Sequence, residues 1–194
     1  MKLMKQYIIL FIAFLSLTSF QGKDSGKQKD VDVCVYGGTA SGVIAAYSAK
    51  MMGKSVVLIE PGKYLGGMTT GGLGSTDIGN KFAVTGLSRL FYRRIGAHYN
   101  KFEQWTFPPS VATTQIMKFV KDADLEVVYT YRITNAYVRD KKIETITLEN
   151  SERPKTEPLL KIKAKQFIDC TYEGDLMAKS GVSYFVGRES NEEY

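Results

Sequence analysis

The stretch from Asp32 to Glu60 constrains this chain more than any other. Val31 to Tyr36 is an apolar run broken only by Asp32, which suits a strand buried on both faces of a parallel sheet. Gly37-Gly38-Thr39-Ala40-Ser41-Gly42 then turns into a helix on which Gly42, Ala45, Ala46 and Ala49 share one face. Small residues there let a helix lie close to the sheet. Met51, Met52 and Gly53 close that helix, and Ser55 to Glu60 reads as a second parallel strand ending in an acid.

Strand, glycine turn, small-residue helix, strand and acid in this order make a nucleotide-binding βαβ unit. The helix N-terminus offers unpaired N–H groups and the positive end of its dipole to a pyrophosphate. Gly37 and Gly42 permit the tight turn and close packing. Glu60 follows Gly42 by 18 residues, where an acid at a strand end accepts hydrogen bonds from a ribose. One position departs from the G-x-G-x-x-G pattern. Thr39 stands in place of the central glycine and brings a Cβ toward the phosphates, while Gly38 beside it supplies backbone freedom.

Six glycines fall between positions 66 and 79, around Leu65-Gly66-Gly67-Met68-Thr69-Thr70-Gly71-Gly72-Leu73-Gly74. A flexible linker would be polar throughout. Here Leu65, Met68, Leu73 and Ile78 interleave the glycines, so the segment reads as backbone that hugs a flat cofactor or a second phosphate.

Taken together, Gly-Gly-Thr-Ala-Ser-Gly, Ile-Glu-Pro and Leu-Gly-Gly-Met-Thr-Thr-Gly-Gly-Leu-Gly resemble the N-terminus of a FAD-dependent oxidoreductase of the glutathione-reductase-like fold. More closely, they resemble a family of exported bacterial FAD-dependent oxidoreductases, some of which carry the label "xanthan lyase-like". The resemblance implies an α/β domain with a Rossmann-like parallel sheet and a small antiparallel excursion. It implies FAD as cofactor, with the pyrophosphate on Gly37, Gly38, Thr39, Ala40, Ser41 and Gly42 and the ribose on Glu60. Gly66, Gly67 and Met68 take the flavin side. Family members are longer and add a substrate domain and a closing segment, so these residues correspond to the N-terminal portion, a truncated product or a fragment.

Downstream, Leu87 to Tyr99 reads as an amphipathic packing helix, with the single histidine, His98, in a structural role. Phe102 to Pro109 resembles the family's Trp-Thr-Phe segment, in which an acid and a histidine lie near the prolines; Pro108 and Ser110 stand there instead. Val111 to Asp122 returns to helical spacing. Leu125 to Ile133 reads as a strand, followed by a hairpin across Asp140-Lys141-Lys142 and a long strand from Leu159 to Asp169. In the family, the position of Ile133 touches the adenine. Phe167 to Leu176 is similar to the family's strand-end Asp-Ala-Thr motif, with Cys170 for the alanine; Thr171 is thereby placed against the cofactor, and Asp175 is read as a charge at a helix start.

Composition sets the remaining bounds. The 194 residues suffice for one domain, 31–194, and 44% hydrophobic residues is a globular content. The net charge is +6, but Lys118, Lys121, Arg139, Lys141, Lys142 and Lys161 are scattered, as on a solvated surface and unlike a nucleic-acid stripe. Cys34 and Cys170 end apolar runs and read as buried small hydrophobes. A bridge between them requires neighbouring strands and a geometry that adjacent parallel strands rarely meet. Residues 1–22 carry Lys2, Lys5 and an apolar run from Tyr7 to Phe20, the pattern of a signal peptide directing export, with no stable membrane span after its removal. Residues 23–30 are polar and read as a disordered lead-in.

The expected chemistry is hydride transfer from an organic substrate, a small molecule or saccharide-related, to the flavin. A FAD-binding module without catalysis is the alternative. A polysaccharide-active enzyme ranks last, because no paired carboxylates or His/Tyr constellation supports it. The sequence names no catalytic acid or base.

Overall fold

The structure, a computed structural model, describes residues 26–193. The stretch expected to be a signal peptide lies outside the described residues. Strand β1 (Lys27–Tyr36) leads through the glycine turn into helix α1 (Ala40–Met51) and strand β2 (Val56–Glu60). The long connection that follows carries the short helix α2 (Met68–Gly71), a 3-10 turn at Lys81–Ala83, and helices α3 (Gly86–His98) and α4 (Pro109–Asp122). Strands β3 (Glu126–Tyr129), β4 (Tyr131–Arg139), β5 (Lys142–Asn150) and β6 (Leu160–Asp169) come next, then helix α5 (Asp175–Lys179) and a 3-10 turn at Asn191–Glu193.

The sheet runs β3-β2-β1-β6-β5-β4. Its first four strands are parallel, with Val33 opposite both Val56 and Gln166. Strands β5 and β4 continue it antiparallel. This is the parallel sheet with antiparallel excursion that the sequence implied. Val56 to Ile59 are buried because each face of β2 is covered. Val56 and Leu58 join α1, α3 and α4 in one core with Val43, Ile95, Ile116 and Phe119. Val57 and Ile59 join the other, with Tyr36, Ile133, Ile146, Leu148 and Ile162. Burying each such side chain contributes about 1.5–3 kcal/mol before chain entropy is counted.

Two boundaries differ from the sequence reading. The segment expected to be a disordered lead-in is already strand from Lys27, because Lys27 to Asp30 pair with Leu160 to Lys163 of β6. Backbone pairing asks nothing of side chains that face solvent, so polar residues extend the strand. The single strand expected from Leu125 to Ile133 is broken at Thr130, which has φ +58. Its N–H donates to the Gly62 carbonyl at 2.9 Å and its own carbonyl accepts from Ser151 N–H at 2.7 Å. Those bonds hold a left-handed corner that turns the chain out of the parallel sheet and over its face.

Local signals account for the helices. The Thr39 side chain caps α1, and Pro109 opens α4 at a first-turn position where its missing N–H costs nothing. Trp105 stacks on Tyr92 of α3 with ring centroids 3.9 Å apart, and Phe107 enters the helix-side core. The aromatic segment therefore ties the 72–80 loop to α3, since Phe107 N–H donates to the Gly74 carbonyl at 2.8 Å. His98 is exposed at the end of α3, edge-on to Tyr99. No helix among the described residues is long and apolar enough to cross a membrane.

Candidate functional site

The carboxyl ends of β1, β2 and β6 meet at one edge of the sheet, where ligands bind in open α/β folds. The Gly37–Gly42 turn is built by steric exclusion. A Cβ on Gly42 would lie 1.9 Å from the Gly37 carbonyl oxygen, and one on Gly37 would lie 2.7 Å from the backbone nitrogen of Thr171. Gly37 also has φ +100. Only glycine lets the turn press against both its own helix and the end of β6.

Thr39 accommodates its departure from the glycine pattern by engaging its hydroxyl in local bonds. Its hydroxyl donates to the Cys170 carbonyl at 2.8 Å, bonds with Ser41 Oγ at 2.9 Å, and accepts from Gly42 N–H at 3.3 Å. The threonine is thus a helix cap and a tie to β6 at once.

Glu60 holds the turn from the other side. Its two carboxylate oxygens accept from Gly38 N–H at 2.7 Å and Gly62 N–H at 2.6 Å. A carboxylate has about four acceptor positions, so about two remain for further donors. Gly66 N–H donates to the Gly38 carbonyl at 2.8 Å, which lays the second glycine loop beside the first.

At the end of β6 the Asp169 carboxylate organises the chain. One oxygen accepts from Thr171 N–H at 2.9 Å and from the Thr171 hydroxyl at 2.7 Å. The other accepts from Met177 N–H at 2.9 Å, and Asp175 N–H donates to Thr171 Oγ1 at 3.0 Å. Beneath the site, Tyr36 is buried with its hydroxyl accepting from Ile133 N–H at 2.9 Å. Burial, with the negative charges of Asp175, Asp169 and Glu60 adding to it, pushes the Tyr36 phenol up to about 12. Burial alone pushes Cys34 up to about 12. Burial also raises Cys170, against a hydrogen bond from Ser41 that lowers it. Both cysteines are free and held as neutral thiols.

These elements enclose a cleft of about 270 Å³ lined by Gly37, Thr39, Glu60, Gly67, Thr171 and Tyr172, with Asp175 at its edge. Gly38, Gly66 and Gly42 are not in that lining: Gly38 and Gly66 are bonded to each other, and Gly42 packs against the Gly37 carbonyl. Ala40 and Ser41, at the start of α1, face a neighbouring apolar cavity of about 450 Å³ shared with Phe91 and Tyr92. Met68 is exposed at the rim, and its N–H donates to the Tyr172 hydroxyl at 2.7 Å. Ile133 is not brought to the cleft lining. It is buried in the core on the antiparallel side, with its N–H taken by Tyr36.

Sequence reasoning placed Asp169 in the strand-end motif without giving it a role, and passed over Tyr172. The Asp-x-Thr spacing, which allows a side chain to bond the backbone two residues on, was a signal for the first. Nothing marked the second. The donor set fits a dinucleotide: backbone glycine walls, a helix start, and a carboxylate with acceptor capacity left.

The family model described as FAD dependent oxidoreductase matches residues 32–194. Among solved structures, a flavoprotein/dehydrogenase from Cytophaga hutchinsonii is similar at TM-score 0.60 and 16% identity, over 83% of this chain and 44% of that one. The FAD complex of glycerol-3-phosphate dehydrogenase from Bacillus halodurans gives TM-score 0.60 and 14% identity, over 78% and 36%. Thermovibrio ammonificans THI4 gives 0.56 and 17%, over 94% and 72%. At these identities the likeness is one of fold, and the chain spans less than half of the first two. No curated protein matches. With the glycine turn, the Glu60 carboxylate and the second glycine loop brought together, the match across nearly all of the described chain places it: the protein belongs to the FAD dependent oxidoreductase family, and its cofactor is FAD.

Proposed function

We propose that the protein is an exported flavoenzyme that takes a hydride from an organic substrate, a small molecule or saccharide-related. When bound, FAD supplies the hydride-accepting ring. The chain's own residues hold and orient it. Gly37, Gly38 and Thr39, with Ala40, Ser41 and Gly42 at the helix start, take the pyrophosphate. Glu60 takes the ribose hydroxyls while keeping the glycine turn fixed through Gly38. Gly66, Gly67 and Met68 run along the flavin side, and Thr171 closes the pyrophosphate from β6.

The observation that carries this reading is the bond from Gly38 N–H to Glu60, which joins turn and ribose acid in one rigid unit. The full chain, purified and incubated with FAD, should retain visible flavin bands after desalting. Anaerobic addition of candidate substrates should bleach them. Glu60→Gln leaves one of two N–H groups facing an amide and should weaken FAD binding at least tenfold, read by fluorescence titration. Failure of the unaltered protein to retain flavin sinks the reading.

A further inference from the structure

We propose that Tyr172 is a displaceable clasp: its phenol oxygen holds the place, at the Met68 amide, of an oxygen of FAD, and it must swing away before the cofactor crosses from the Gly37–Gly42 turn to the Gly66–Met68 loop. The inference rests on FAD lying in this cleft, as proposed above.

Three observations carry it. First, the ring bridges the cleft. Tyr172 leaves the end of β6, and its hydroxyl reaches across to accept from Met68 N–H at 2.7 Å, 104 residues away. It presses on Gly67 so closely that a Cβ there would lie 2.2 Å from the phenol oxygen. Second, the amide it occupies is a donor on the loop that flanks the cofactor path, the kind of group a dinucleotide oxygen requires. That amide lies at the exposed rim, so the phenol holds it with the net strength of an ordinary hydrogen bond in competition with water, and an arriving cofactor oxygen can replace it there. Third, the root of Tyr172 is fixed while the residue is largely open to solvent. Thr171 is pinned by two bonds to Asp169, whereas the Tyr172 side chain is 57% exposed. With the ring in place, the cleft of about 270 Å³ falls below the range of about 300–1,000 Å³ usual for small-molecule sites. Rotating the ring outward opens the same cleft without moving the backbone.

A clasp of this kind lowers apparent affinity by the fraction of molecules in which it is open. A phenol–amide hydrogen bond of ordinary net strength corresponds to about a two- to tenfold change in that fraction. Tyr172→Phe keeps the ring and removes the bond. Stopped-flow quenching of flavin fluorescence, with FAD-stripped full-length protein, should show association two- to tenfold faster in the variant. Dissociation should be unchanged, so the Kd falls by the same factor. Tyr172→Leu should behave likewise. Hydrogen exchange at the Met68 amide supplies a second readout: slow in the FAD-stripped unaltered protein, fast in stripped Tyr172→Phe, and slow in both with FAD bound. Equal association rates, or weaker FAD binding in Tyr172→Phe, overturn the clasp and make Tyr172 a cofactor contact. FAD binding to neither protein overturns the underlying reading, so the two failures are distinguishable.

Discussion

Thr39 shows how much one residue decides here. It occupies the position where the nucleotide-binding pattern has glycine, yet its hydroxyl serves both ends of the site, capping α1 and donating to the Cys170 carbonyl. Thr39→Ala removes a cap and a long-range hydrogen bond together. The expected loss is about 2 kcal/mol, visible as a lower urea midpoint, while Thr39→Ser keeps most of the stability. The glycines of the turn were legible in the sequence, because their need for space is local. The bonds of Thr39 and Tyr172 were not, since each depends on a partner more than a hundred residues away. Ile133, which the resemblance set against the adenine, has its side chain in the core and its N–H donating to the buried Tyr36 hydroxyl.

Elements follow the same division between local and distant causes. The buried parallel strands and the amphipathic helices were readable, because burial on both faces demands continuous apolar runs and burial on one face demands helical spacing. The Thr130 corner was hidden, since a β-branched residue argues for strand and only its neighbours hold it in the left-handed region. The β4–β5 hairpin turns through Asp140 and Lys141 at φ +50 and +60. Two such residues match a type I′ turn, for which glycine is preferred second. Lys141→Gly should stabilise the protein by about 1 kcal/mol, raising the urea midpoint without altering FAD binding. Midway along β1, the Lys165 ammonium, with the Ser55 amide and hydroxyl behind it, holds the Asp32 carboxyl well below the usual carboxylate range. Lys165 Nζ lies 2.7 Å from Asp32, and Ser55 N–H donates to it at 2.9 Å. A carboxyl depressed in the fold adds stability above its unfolded pKa, about 4, and loses it as pH falls through the folded value. Stability should therefore decline with acid below about pH 4, and Asp32→Asn should flatten that decline in urea titrations followed by circular dichroism.

For the whole molecule, cofactor and fold are linked, because the cleft joins three strands that approach one another only in the native sheet. A ligand bound there and absent from the unfolded chain stabilises by about 2.7 kcal/mol at a hundredfold excess over its Kd. Thermal melts with increasing FAD should shift upward accordingly, and the shift should shrink in Glu60→Gln. The sheet order carries a further consequence for how the protein is made. β1 pairs along its length with β6, the last strand among the described residues, and Thr39 bonds the Cys170 carbonyl just beyond it. During synthesis the βαβ unit leaves the ribosome well before β6, with one side of β1 lacking its neighbour until residue 169 has emerged. An open strand edge of that kind invites pairing with other chains. The nucleotide cradle is thus a late product of translation, and the chain's exposure to misassembly is longest at the very strand that defines it.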